Sequence, residues 1–462
     1  MQKLDDKAML KIEAGNLEKE DRKLLKKKIK NQKKCIAALA IILNLGILCA
    51  LKYSAFFAST FDGIFSWFNV TTHFPVLKIG MPIGISYYTL TSIGYVVDIV
   101  RGKYPAEKNP FKVALFVCYF PHLYEGPFAK YDELAPQLYE GHDFDLDRVY
   151  KGILLITWGL FKKIVIADRF AIIVGAVFND YKSFNGLIVV LSVICFTIQL
   201  YAEFSGLIDI ASGISEIFGI RLAKNFEQPF FSQSVNEFWR RWHISLGVWF
   251  KEYIFYPISM SKGMMKLNKK MHGKVKPFWE LFLPACFALF FVWFANGLWH
   301  GADWKYVIYG LYYYVLMIIS MCIEPFRNKL FEKLKVKNDA KWLKILRITR
   351  TLILVNIGML IFRANSLTSA FEMVKQIFHN GSLNILSIEG IDVQELVMMG
   401  IGAIVLLIVD ILKENKKDIL NELNNSNFFV KYGSLIVICF VIIIFGAYGN
   451  GYLPPDPIYG GF

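Results

Sequence analysis

Residues 281–302 read LFLPACFALFFVWFANGLWHGA, twenty-two positions without one Asp, Glu, Lys or Arg. A helix of that length extends about 33 Å, enough to cross the roughly 30 Å hydrocarbon core of a bilayer. Near its end stands an ionisable side chain, His300. Equally uncharged windows run from Ile79 to Val97, Ser183 to Ala202, Tyr306 to Ile323 and Tyr432 to Pro455, with shorter ones from Ile36 to Leu51 and Leu396 to Val409. Period-2 alternation is absent, and lipid admits only helices or closed barrels, so all of these windows read as helices. The fold class is all-α: a polytopic transmembrane helical protein with about eight to ten membrane segments plus amphipathic and re-entrant helices.

Composition agrees. Hydrophobic residues make up 55% of the 462 and charged residues only 19%, below the roughly 25% of soluble domains. The net charge of +14 does not point to nucleic acid, because the basic residues gather in short flanks of apolar segments: Met1 to Lys34, Lys262 to Lys276 and Arg327 to Arg350. By the positive-inside rule these mark cytoplasmic loops. The first 34 residues hold twelve Lys or Arg against six Asp or Glu and show no cleavable signal peptide. They read as a basic cytoplasmic leader, followed by a single domain over 35–462. The hairpin made by 281–302 and 306–323 lies between two basic loops, which directs its turn, Gly301 to Lys305, away from the cytoplasm or to the base of a cavity. The same logic puts Arg363 near the outer side and Lys413 to Asn427 inside. Seven cysteines are scattered without a CxxC and read as small apolar residues.

Several polar groups break the pattern. Lys162, Lys163, Asp168 and Arg169 interrupt the apolar run from Gly152 to Phe178 and read as a membrane-surface helix or a cytoplasmic turn between two short helices. Glu203 and Asp209, six residues apart, fall on different helix faces, with a buried pair with basic partners as a further reading. In the densest unusual stretch, Asn236 to Leu246, helical spacing puts Trp239, Trp242, Leu246, Trp249 and Tyr253 on one face and Arg240, His243, Gly247 and Lys251 on another. An amphipathic interfacial anchor explains that pattern, except that it does not require His243.

His300 needs a partner or a wet cavity, because an unpaired polar group in hydrocarbon costs several kcal/mol. It is either a bridge between helices or a functional group. Imidazole, with an ordinary pKa near 6.5, suits acyl transfer, since it can take a proton from a hydroxyl nucleophile. Serine-hydrolase chemistry has no Gly-x-Ser-x-Gly to rest on. His243 and His300, 57 residues apart and without HExxH, give a metal site weak support.

Phe238-Trp-Arg-Arg-Trp-His243-Ile-Ser-Leu together with Gly297-Leu-Trp-His300-Gly-Ala resembles the membrane-bound O-acyltransferase family, in its bacterial branch of alginate O-acetylation proteins and teichoic-acid D-alanyl transfer proteins. Pro82-Ile-Gly-Ile-Ser86, Phe120-Pro-His-Leu123 with Gly126-Pro127, Gly159-Leu-Phe-Lys-Lys163, Asn225-Phe226 with Gln228-Pro229, and Ile361-Phe-Arg-Ala364 resemble the same branch in order, over roughly residues 36 to 462. The resemblance implies a bacterial cytoplasmic-membrane transferase with no tightly bound cofactor. It implies movement of an acyl group, acetyl first of all, from acetyl-CoA or an acyl-carrier thioester to an extracytoplasmic polysaccharide, directly or through a secreted acetyltransferase partner. D-alanyl transfer to teichoic acid is the alternative, and a polymer transporter or flippase is the rival of another class. It also implies catalytic roles for His300, as base, and His243, assisting nearer the cytoplasmic end of a tunnel. Departures are a charged leader where the branch has two or three hydrophobic segments, implying that N-terminal helices are missing, Glu203 where an Asp is usual, and glycines in the ending Pro457 to Phe462.

Overall fold

The computed structural model describes residues 19–448 except 73, 77–79, 81, 124, 380, 382 and 383, together with residues 1 and 4. The ending at 457–462 and residues 2, 3 and 5–18 of the leader lie outside the described residues. The chain divides into two compact units: residues 1–124, 128–143 and 220–222, and residues 125–127, 144–219 and 223–462.

The first unit contains α1 (Lys19–Lys52), α2 (Ser54–Ser66), α3 (Ile85–Arg101), α4 (Pro110–Val117), α5 (Phe120–Leu123) and α6 (Tyr131–Tyr139). The basic half of the leader from Lys19 continues without a break into the apolar half of α1. Phe116, Tyr119, Leu134, Ala135 and Ile220 form a core that joins α4 to α6. Two of the short motifs meet here: at Gly84, φ is +75° and a Cβ would fall 2.4 Å from the Leu123 carbonyl oxygen, so only glycine fits.

The second unit contains α7 (Leu146–Leu160), a π-helical turn (Phe161–Ala167), α8 (Asp168–Asn179), α9 (Gly186–Ile217), α10 (Val235–Arg241), α11 (Ile244–Phe250), a second π turn (Lys251–Phe255), α12 (Tyr256–Ser259) and α13 (Lys262–Met271). It continues with α14 (Pro277–His300), α15 (Trp304–Lys333), α16 (Lys341–Arg363), α17 (Leu367–Gln376), α18 (Val393–Glu414), α19 (Ile419–Asn424) and α20 (Phe428–Phe445). Among the described residues, seven helices are long and apolar enough to cross a membrane: α1, α9, α14, α15, α16, α18 and α20. The chain is a multi-pass, all-helical membrane protein. The expected count of about eight to ten compares with these seven, with α3 at 17 residues and the charged composite α7–π–α8 beside them.

Helix α9 is the axis of this unit, and two glycine pairs explain how α7 lies against it. A Cβ on Gly152 would meet the Gly213 carbonyl at 2.5 Å, and one on Gly159 would meet the Gly206 carbonyl at 2.4 Å. Seven-residue spacing on both helices puts the pairs on one seam, the small-residue packing that lets membrane helices touch backbone to backbone.

That close approach corrects the reading of Lys162 to Arg169. They form neither a surface helix nor a turn: the chain stays helical from Leu146 to Asn179 through the π turn, and Lys162, Asp168 and Arg169 are buried. The widened turn lets both lysines reach acids: Lys162 Nζ lies 2.7 Å from Asp209 Oδ2, and Lys163 Nζ lies 2.7 Å from Asp168 and 3.1 Å from Glu203. Both acids thus have basic partners, Glu203 buried and Asp209 half-buried.

Gly159→Leu should destabilise the protein by about 1–3 kcal/mol through overpacking. The thermal midpoint of the solubilised protein measures it, and an unchanged midpoint would refute the seam.

Candidate active site

The site begins at Asn225, in the segment between α9 and α10. Its Oδ1 accepts hydrogen bonds from Ser245 N (3.1 Å), Ser245 Oγ (2.8 Å) and the His243 ring at Nδ1 (3.1 Å), while its carbonyl accepts from Ile244 N (2.9 Å). A short bridge between Phe226 and Trp242 extends the contact. These bonds draw Trp242 and His243 out of helical geometry, and His243 takes a left-handed conformation, φ +48° and ψ +51°.

The single amphipathic helix expected over Asn236 to Leu246 is therefore two helices, α10 and α11, broken at the histidine. Nor is the stretch a lipid-facing anchor: Trp242 is 2% exposed, and the Trp239 ring packs on Trp293, Tyr309 and Tyr313. Helical periodicity failed here because side-chain and backbone bonds to a distant segment outweigh local propensity. Arg241 serves structure, bridging Glu237 on α10 (2.8 Å) and Glu414 on α18 (2.7 Å).

Because Asn225 Oδ1 already faces a backbone N–H, it is an acceptor, so His243 Nδ1 carries the hydrogen and donates. Nε2 is then the nitrogen with the lone pair. Burial pushes the His243 imidazole down to about 3, so it is neutral at physiological pH.

His300 is the last residue of α14 and is buried at 2% exposure. Its ring is enclosed by Trp299 (centroids 4.9 Å apart), Tyr309 from α15 (5.6 Å) and Phe362 from α16 (5.3 Å). The glycines beside it shape the hairpin. A Cβ on Gly297 would meet the Tyr306 carbonyl at 2.4 Å, and one on Gly301 would meet the Tyr306 ring at 2.2 Å. They admit the neighbouring helix.

The structure brings the two histidines to one place. The Trp299 ring contacts both imidazoles, lying 5.6 Å from His243 and 4.9 Å from His300, and Phe204 of α9 stands edge-on to His243 at 4.8 Å. Aromatic rings thus enclose two nitrogen bases in one low-dielectric interior. Among the described residues no group of three or more His, Cys, Asp or Glu is arranged to hold a metal ion. Sequence reasoning missed Trp299, Tyr309, Phe362 and Phe204 as site walls. Asn225 stood only within a short motif, and nothing in its spacing to His243 signals the bond.

Residues 101–272, which include Asn225 and His243, match the model of the membrane-bound O-acyltransferase family. The chain is similar to the probable alginate O-acetylase of Pseudomonas syringae pv. tomato, 33% identical over 78% of this chain and 64% of that protein. To the probable alginate O-acetylase of Pseudomonas putida it is 32% identical over 78% of this chain and 69% of the relative. It is also similar to the teichoic acid D-alanyltransferase of Bacillus subtilis, 28% identical over 63% and 70% of the two chains. The chain spans just under two thirds of the length of the P. syringae protein.

Asn225→Ala leaves three buried donors without their acceptor and should cost about 2–4 kcal/mol. Unfolding of the solubilised variant measures this, and wild-type stability would show that His243 is held by other means.

Proposed function

Because this chain belongs to the membrane-bound O-acyltransferase family, we propose that it transfers an acyl group, acetyl in the first instance, from a cytoplasmic thioester to a hydroxyl bound for the outer face of a bacterial cytoplasmic membrane. The observation that carries the reading is the meeting of two buried imidazoles on the Trp299 ring. The donor is acetyl-CoA or an acyl-carrier thioester. The acceptor is a polysaccharide such as alginate, another exopolysaccharide or a wall polymer, reached directly or through a secreted acetyltransferase.

In the proposed reaction His300 takes the proton from the acceptor hydroxyl as its oxygen attacks the thioester carbonyl carbon. The carbon–sulfur bond breaks, and the proton passes to the departing thiolate, so an ester and a free thiol result. His243, neutral and fixed through Nδ1, presents Nε2 to the reacting groups and positions the donor. Enclosure by Trp299, Tyr309 and Phe362 keeps water from competing with the acceptor hydroxyl. The hairpin geometry supports a crossing reaction. The basic flanks lie at the start of α14 and the end of α15, while His300 lies about 34 Å along α14 from its first residue.

His300→Ala should lower acyl transfer by at least about 10²–10⁴-fold, the range for loss of a positioned proton acceptor, while protein level and membrane insertion persist. Labelled acyl groups still reaching the outer polymer in that variant would sink the assignment.

A further inference from the structure

Beneath the wall of the site lies a group of charges that acyl transfer does not use. Lys163 Nζ is already engaged by two carboxylates, Asp168 at 2.7 Å and Glu203 at 3.1 Å. Glu125, at the turn before Gly126-Pro127, brings a third. It is 3% exposed, and neither of its carboxyl oxygens has a hydrogen-bond partner among the described residues. The charged groups that act on it are Glu203 from α9 and Lys163 from the π turn, with Asp168 of α8 sharing the same ammonium. The ammonium is thus already engaged when Glu125 adds its carboxyl, and an uncompensated charge in an interior of low dielectric is strongly disfavoured.

We propose that Glu125 is a proton-binding site, a neutral carboxylic acid at physiological pH whose ionisation adds a further negative charge to the group formed by Lys163, Glu203 and Asp168. Glu203 directly precedes Phe204 on α9, whose ring stands against His243. Burial, then the Glu203 charge, raise the Glu125 carboxyl to about 8, with Lys163 opposing.

Infrared titration of the solubilised full chain from pH 5 to 10 tests it. The expected result is a carboxylic-acid carbonyl band present at pH 7, lost with a midpoint near 8 and missing in Glu125→Gln. In Glu203→Gln, where the like charge is removed, the midpoint should fall by about one pH unit. Stability gives a second reading. The folded state holds a proton that the unfolded state releases above roughly pH 4.3, so the thermal midpoint should fall as pH rises from about 5 to 8 and then level. Glu125→Gln should flatten that slope. If the wild type shows no neutral carboxyl at pH 7, or if Glu125→Gln keeps both the band and the slope, the proposal is overturned. A normal band together with absent acyl transfer would instead count against the proposed function alone.

Discussion

Asn225 Oδ1 receives three hydrogen bonds, and the geometry of the site depends on them. Without that acceptor and the backbone bonds beside it, the sequence from Val235 to Phe250 has every reason to remain one helix. His243 would then point as helical periodicity directs, and Trp242 would face lipid. With it, the helix breaks at His243, the ring turns inward with Nδ1 bound, and Nε2 is left as the basic nitrogen. The amide fixes a bend and a tautomer together, which is why a residue eighteen positions away decides what the histidine can do.

The lysine pair follows from a related constraint. Close approach of α7 and α9 along the glycine seam brings the π turn onto α9, so Lys162 and Lys163 are satisfied by what α9 and α8 carry. Asp209, Glu203 and Asp168 supply that need. Such pairs are weak sources of stability, because desolvation offsets most of the attraction, but breaking one leaves a buried charge. They act as registers: α9 cannot slide against the π turn without separating two ion pairs at once.

How much of this was legible differs by residue. The apolar windows at 281–302 and 306–323 became α14 and α15 because charge-free length is a property of the sequence alone. His300 stood out for the same reason, as an imidazole at the end of an uncharged run. The break at His243 was not legible, since it rests on an amide beyond the reach of any helical period. Lys162 and Lys163 misled because sequence reports charge but not the partner that makes its burial tolerable. Gly152, Gly159, Gly206 and Gly213 were readable in principle as two seven-residue spacings, yet that spacing gains meaning only when the helices are known to be neighbours.

The two imidazoles need not be equal. A base serves best when its pKa lies near the working pH, where it accepts a proton readily and releases it again. His243, pushed down to about 3 by burial, holds a proton poorly. It remains a competent hydrogen-bond acceptor through Nε2, held rigidly because Nδ1 is tied to Asn225. That combination suits a group that steadies a donor or orients a hydroxyl, not one that stores the proton between bond making and bond breaking. In the proposed division of labour His243 orients and His300 is the proton acceptor. A site divided in this way needs both histidines close together, and the Trp299 ring, in contact with each, keeps them so.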